Sequence, residues 1–439
     1  MAYQATQQRK MRLRSSGCLR WSYLPPEIRR RILDTIVDQR NPGWSALASV
    51  STEWQSVIGR RNMAKLNLRP SCLEDFEQAV VRQRDLVKHI YLNVELAEYE
   101  CSSCENGFDI INGRLMGKAV TKLLIILSTW KSTGPLTLEL NASSASDSKH
   151  WFKNFRFNDE HDSPYARDLV IPMEATRSDW YDPKHGWENG VRTKPPPFSA
   201  NKRLFGPINF DYYIPSFRNA YIPDVNAVTR FMIRRQFRHH IEPCGFANVL
   251  FPEDELEFDY PDNTKSIARR SLRLHELAVS FFTDAVNFFQ ACEEEWTWDH
   301  LQSLSLTSSL LFLRRKEQKQ RIDNLLITAA KLVLRMPNLT TMVLWNGGAG
   351  KACAFIYTRT KHYAHITWRG TWDLEISQQV LQAWESVAKL HSVELKVMHE
   401  RLQEIIRSHG DAIFHLNLPC QVIEPTSLWQ IRVEDAQRL

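Results

Sequence analysis

The feature that most constrains the fold of this chain is an alternation between short strand-like runs and longer amphipathic stretches. Most of the runs share the spacing apolar-x-x-apolar-x-apolar. They occupy residues 87–92, 136–140, 228–233, 301–306, 339–344 and 390–395. Between them, four stretches carry apolar side chains at the i, i+3, i+4 spacing of a helix, namely 115–130, 274–289, 322–336 and 377–390. The alternation predicts an α/β fold overall.

The runs beginning at residues 228, 301, 339 and 390 are expected to form neighbouring parallel strands of one curved sheet. Their starts lie farther apart than the about 20–29 residues of a regular leucine-rich repeat. We therefore expect an irregular, leucine-rich-repeat-like strand-helix body over residues 71–439. Residues 141–226 interrupt the alternation with a serine-rich stretch, many aromatic residues and the proline run before Phe198. This long insertion is either a binding element or a disordered connection.

The start of the chain divides into a tail and a helical segment. Residues 1–20 are basic and lack an apolar segment of the secretory type, so we expect a disordered tail, with a transit peptide or a nuclear signal as the alternative. Pro25 and Pro26 suit a first helical turn, and the apolar residues that follow recur at helical spacing. A second apolar stripe begins at Trp44, and residues 60–68 give a third, shorter helical candidate. Residues 21–70 are therefore predicted to form a three-helix domain.

Composition excludes several classes of protein. The chain has 439 residues, and its net charge of +6 is too small for a strong nucleic-acid-binding field. The apolar stretch at residues 123–127 is far shorter than the about 20 residues that a bilayer requires. The eight cysteines lie far apart, which is typical of free thiols in a reducing compartment. We expect a cytoplasmic and/or nuclear protein that binds neither nucleic acid nor membrane.

The helical segment resembles the F-box. The likeness rests on Leu24-Pro25-Pro26-Glu27-Ile28, the Ile32-Leu33 pair and the later Leu47-Ala48-x-Val50-x3-Trp54, with Ser51 where a cysteine often stands. The resemblance implies that a set of apolar residues binds an adaptor of the Skp family, while some members of the set face the core of the domain. The set is Leu24, Pro25, Ile28, Ile32, Leu33, Leu47, Val50 and Trp54.

The remainder of the chain is similar to a group of filamentous-fungal F-box proteins whose C-terminal region is uncharacterised. The likeness is carried by residues 86–92, Cys101-x2-Cys104, residues 228–236 and residues 344–372. It implies a substrate receptor of an SCF-type cullin-RING ubiquitin ligase. Such a receptor binds the adaptor, and through it a cullin, while the C-terminal body captures an unknown target protein for ubiquitin-dependent degradation. The alternative is a scaffold, free or adaptor-bound, outside any ligase.

Three local motifs could carry other functions. Gly347-Gly-Ala-Gly-Lys351 lacks the earlier glycine and the Ser or Thr of a phosphate loop, so a turn is expected. Cys101 and Cys104 have zinc-knuckle spacing, with His150 and His161 as distant candidate ligands, but free thiols are favoured.

The densest basic cluster holds Arg234, Arg235 and Arg238. It is interpreted either as a solvated loop or as a docking patch for an acidic or phosphorylated partner. No nucleophile and base can be paired, so we expect no catalytic activity. No complete cofactor motif occurs and free thiols are favoured at Cys101 and Cys104, so we expect no cofactor and no metal.

Overall fold

The computed structural model describes residues 21–39, 43–105, 110–131, 134–157, 180–208, 225–241, 264–312 and 318–436. The predicted tail at residues 1–20 and His161 lie outside these ranges. Within them the protein is a mixed α/β structure with an N-terminal helical module, a four-stranded sheet and a six-stranded sheet. Among the described residues no helix combines the length and the hydropathy needed to cross a membrane.

The N-terminal module consists of two α-helices and an intervening 3-10 helix. Helix α1 spans Pro26–Gln39, and the carbonyl of Pro25 accepts its first backbone hydrogen bonds. The 3-10 helix spans Trp44–Ser49, after Gly43 in a left-handed conformation. Helix α2 spans Thr52–Ala64, and the hydroxyl of Ser51 caps it by accepting from the Trp54 amide. The third helix predicted over residues 60–68 is wrong, because residues 60–64 are the end of α2 and the chain continues as a strand from Lys65.

The four-stranded sheet is entirely parallel. Its strands, in spatial order, are β1 (Lys65–Leu68), β2 (His89–Glu95), β3 (Thr137–Ser143) and β7 (Arg230–Ile233). Helices α3 (Leu73–Ala79) and α4 (Ile110–Ser128) lie in the connections and contribute Phe76 and Leu123 to one apolar core with Ile90 of β2. Because β1 follows α2 directly, the helical module is joined to this sheet without a linker.

Short elements lie between β3 and the C-terminal half of the chain. They are β4 (Trp187–Glu188), β5 (Val191–Arg192), α5 (Phe198–Phe205), β6 (Pro207–Ile208) and β8 (His240–Ile241). Most fall within the predicted insertion, whose described parts are therefore folded. Helix α5 contributes Ala200 and Leu204 to a small, largely aromatic core that includes Trp151, Phe152 and Phe155.

The six-stranded sheet occupies the C-terminal half. Its strands, in spatial order, are β14 (Glu394–Arg401), β13 (Tyr363–Gly370), β12 (Lys351–Arg359), β11 (Thr341–Gly348), β10 (Ser303–Thr307) and β9 (Glu276–Asp284). Only β12 runs against the others. Gly348 pairs with Lys351 across a tight turn in which Gly350 has a φ of 75°. The turn predicted for the glycine-rich motif is confirmed.

Helices bury both faces of this sheet. The helices of this half are α6 (Thr264–Ser271), α7 (Ala285–Ala291), α8 (Lys319–Val333), α9 (Gln378–Leu390), α10 (His409–Leu416) and α11 (Pro425–Ala436). Met342 and Leu344 of β11 belong to the core that contains α8 and α9. Val343 and Trp345 belong to the core that contains α10. Strands covered on both sides suit a largely parallel sheet.

Two sequence predictions about this region are wrong. Residues 274–289 were expected to be a helix, but Glu276–Asp284 forms β9 and only the last turns are helical. The four runs were expected in one sheet as neighbours. β10 and β11 are indeed parallel neighbours, but β14 is separated from them by β12 and β13, and β7 belongs to the four-stranded sheet.

Candidate functional site

The residues predicted to bind an adaptor are mostly at the surface of the N-terminal module. Leu33 is fully buried. Leu24, Leu47 and Trp54 are half-buried, whereas Pro25, Ile28, Ile32 and Val50 are exposed. The exposed fractions of Ile28, Ile32 and Val50 are 44 %, 36 % and 58 %. The module therefore has exposed apolar side chains in addition to those that form its own core.

Helix α1 divides these residues between two faces. Leu33 and Val37, four residues apart, point into the module and are buried. Ile28 and Ile32, also four residues apart, share the solvent-facing side. This helix therefore has a second apolar stripe, separate from the buried one formed by Leu33 and Val37.

A polar and aromatic cluster fixes the entry to the module. The ring of Trp21 lies 5.3 Å from the ring of Trp54. The Trp21 indole N–H donates to the Glu53 carboxylate at 2.8 Å, and the Arg29 guanidinium lies 3.2 Å from the other oxygen of that carboxylate. These contacts connect the start of α2 to α1 and to the residues before it, so the chain near Leu24 has a defined position.

The basic cluster at residues 234–238 is largely internal. Arg234 is only 3 % exposed and forms an ion pair with Glu139 of β3, which is itself completely buried. The same carboxylate lies 2.8 Å from the His89 ring of β2. Burial alone would raise the pKa of Glu139, but the hydrogen bonds and charges of His89 and Arg234 outweigh it and hold that pKa below its usual range.

Arg238 and Arg235 pair with the last described helix. Arg238 is 6 % exposed and donates to the Glu434 carboxylate of α11, with one bond of 2.9 Å. Arg235 reaches the same carboxylate at 3.3 Å, and its backbone N–H donates to the Ser427 hydroxyl. The guanidinium of Arg238 also lies 4.4 Å from the ring centre of Phe155.

The burial of Arg234 and Arg238 fits neither of the two interpretations of this cluster, the solvated loop or the docking patch. Two of the three guanidinium groups are buried in internal ion pairs, and the third is partly covered. The physical reason is that a buried guanidinium requires a carboxylate partner, and both partners come from distant parts of the chain. The cluster joins β3 and α11 to the loop after β7.

The two cysteines of the weak zinc motif lie together with two histidines. Cys101, Cys104, His150 and His185 each offer one ligand atom, and these four atoms lie within 4.8 Å of one another. His150 was a sequence candidate. His185 was not, because its spacing from the cysteines is not that of a known zinc motif. The local sequence signal for His185 as a metal ligand is Asp182, three residues earlier, which is hydrogen-bonded to it.

Comparison with known proteins places only the C-terminal part of the chain. Residues 228–424 match the family described as "Family of unknown function (DUF6546)". No curated protein matches the chain. The matched region contains β7 and the whole six-stranded sheet, and it leaves the N-terminal helical module outside. In this region the chain is similar to a family whose function is not known.

Proposed function

We propose that residues 24–68 are an F-box-like module that binds a Skp-family adaptor, and that the chain is a substrate receptor of an SCF-type cullin-RING ubiquitin ligase. The observation that carries the proposal is the solvent-facing apolar stripe of α1, formed by Ile28 and Ile32. Two isoleucines one turn apart on a short helix are costly to leave in water and suit a helix-binding partner. The resemblance of the sequence supports the same partner.

The order and packing of the module also support this proposal. Three short helical segments follow one another, and Leu33 of α1 and Ile58 of α2 are fully buried. Val50 adds exposed apolar area at the junction of the 3-10 helix and α2. A module of this kind can keep its core and still offer a second apolar surface to another protein.

The remainder of the chain would capture the target. The parallel order of β1, β2, β3 and β7, with helices in the connections, is compatible with a degenerate leucine-rich-repeat-like arrangement. The six-stranded sheet, with its antiparallel strand β12, is not a repeat of that kind. A receptor needs no reactive group of its own, since it raises the local concentration of target lysines near the conjugating enzyme.

The proposal is tested with the double variant Ile28→Ser/Ile32→Ser. Both side chains are exposed, so the variant should fold, with a urea unfolding midpoint close to that of the wild type. Loss of two interface anchors should cost about 1–4 kcal/mol each, so affinity for a purified Skp-family adaptor should fall at least roughly tenfold. Isothermal titration calorimetry measures the affinity.

The matched control is Ile125→Ser. Ile125 is 52 % exposed on α4, outside the module, so its replacement should leave adaptor binding unchanged. Leu33→Ala is the opposite control, since it should unfold the module by removing a fully buried side chain. Wild-type adaptor affinity in the folded double variant would refute the module's proposed role.

A cullin assay separates the ligase from the alternative scaffold. The wild-type chain, mixed with adaptor and a purified cullin, should co-elute with both in gel filtration, and the double variant should elute alone. Binding of the adaptor without the cullin would favour a scaffold outside the ligase.

A further inference from the structure

Three separate segments meet at the cysteine and histidine cluster. Cys101 and Cys104 lie in the turn after β2, and His150 follows the short 3-10 helix Asp147–Lys149 after β3. His185 ends the 3-10 helix Pro183–His185 just before β4. Cys104 and His185 are buried, and the other two are half-buried. Segments from widely separated parts of the chain therefore converge with four metal-binding side chains.

The distances match those of a tetrahedral site. The Sγ atoms of Cys101 and Cys104 each lie 3.4 Å from Nε2 of His185. In a zinc site with ordinary bond lengths, sulfur and nitrogen ligands are about 3.6 Å apart. All four ligand atoms lie within 4.8 Å of one another, so small rotations of the side chains would complete the tetrahedron.

The orientation of His185 is fixed by a carboxylate. Its Nδ1 lies 2.8 Å from Oδ2 of Asp182, and the Lys153 ammonium lies 3.1 Å from the same oxygen. With Nδ1–H donating to Asp182, Nε2 carries its lone pair toward the two sulfur atoms. A carboxylate behind a histidine in this way is the usual outer partner of a metal-bound imidazole.

The part of this region that the structure describes has little regular structure. Among its described residues there are two-residue strands, 3-10 turns and the short helix α5. The buried apolar cluster of this region is small and mostly aromatic, and it includes Cys104 and Trp151. The ring of Trp151 meets the ring of His185 edge-on. A cluster of this size gives limited stability by itself, which is the situation in which small folds use a metal.

We propose that Cys101, Cys104, His150 and His185 bind one structural Zn²⁺ ion that links the described parts of the insertion to the ends of β2 and β3. Four protein ligands leave no open position for water or substrate, so the ion has a structural role. Binding takes up Zn²⁺ and releases the two thiol protons. The resulting centre, with two thiolates and two neutral imidazoles, is uncharged, which suits a partly buried position.

The zinc site is independent of the adaptor-binding proposal, because it would stabilise the region after β2 and β3 and not the N-terminal module. It also accounts for a folded segment in a region whose sequence offers neither regular periodicity nor a large core. The two histidines come from different segments, so the spacing of a zinc finger is not present in the sequence.

The test begins with the metal content of the full chain. The purified wild-type protein, dialysed against buffer with a reductant, should retain one zinc per chain by inductively coupled plasma mass spectrometry. Cys101→Ser/Cys104→Ser should retain less than a tenth of that amount. The matched control, Cys72→Ser/Cys420→Ser, removes two free thiols elsewhere and should retain the wild-type zinc content.

Two further measurements separate ligation from misfolding. Wild-type protein stripped by a chelator and titrated with Co²⁺ should give the intense visible bands of a tetrahedral site and a thiolate-to-cobalt charge-transfer band. Asp182→Asn should weaken Zn²⁺ affinity about 10–100-fold with the ligands intact, while the exposed Asp299→Asn should not. The proposal would be overturned if Co²⁺ added to the stripped wild-type protein gave only the weak bands of an octahedral site. Full zinc content in the Cys101→Ser/Cys104→Ser variant would also overturn it.

Discussion

Replacing Arg234 with methionine removes one partner of a buried ion pair and leaves the other in place. Glu139 is completely buried, so its carboxylate would keep only the His89 ring at 2.8 Å as a neighbour from this cluster. Breaking a buried pair from one side commonly costs about 3–5 kcal/mol, because the remaining charge cannot be solvated. Arg234→Met should therefore lower the free energy of unfolding by about that amount.

The measurement is urea denaturation, combined with amide hydrogen exchange read by mass spectrometry over β3 and β7. The matched control is Arg230→Met, an exposed arginine in the same strand region, with an expected change within about 0.5 kcal/mol. The double variant Arg234→Met/Glu139→Leu should recover much of the lost stability, since it removes both charges. Equal stability of Arg234→Met and Arg230→Met would show that Arg234 is not internally paired.

Two further predictions concern the pH dependence of the Glu139 ion pair and the packing at Gly347. Because the pKa of Glu139 is held below its usual range, its contribution to stability is present at neutral pH and is lost as pH falls below about 4 toward the lowered value. Urea midpoints between neutral and acid pH should fall less in Arg234→Met/Glu139→Leu than in the wild type, and parallel curves would contradict this. A Cβ added at Gly347 would lie 2.4 Å from the Ala412 Cβ, so Gly347→Ala should destabilise by about 1–3 kcal/mol. Gly59→Ala, which meets open space within α2, should be neutral or stabilising by about 0.5–1 kcal/mol, and a similar loss at both glycines would contradict the packing argument.

The sequence predicted the local elements better than their arrangement. Helices α4, α8 and α9 were predicted because each has a long stretch of helical periodicity. Residues 276–284 were misassigned because a short apolar run fits both periods. Asp284, which accepts the Val286 amide as a helix cap, marks where the strand gives way to a helix.

The division into two sheets could not be read from the runs themselves. β7 and β10 have similar apolar spacing, and only tertiary packing assigns them to different cores. The position of Arg238 depends on Glu434, which is 196 residues away along the chain. The proximity of Cys101 and His185 likewise cannot be predicted from residue spacing, because the two residues come from separate loops.

The ion pair between Arg238 and Glu434 has a consequence for synthesis on the ribosome. The arginine is made 196 residues before its carboxylate partner. At about 5–20 residues per second, the wait is about 10–40 s. During that interval the four-stranded sheet can assemble, but the guanidinium cannot be buried without a charge to match it. The loop after β7 should therefore reach its final ion pairing only after α11 has been synthesised.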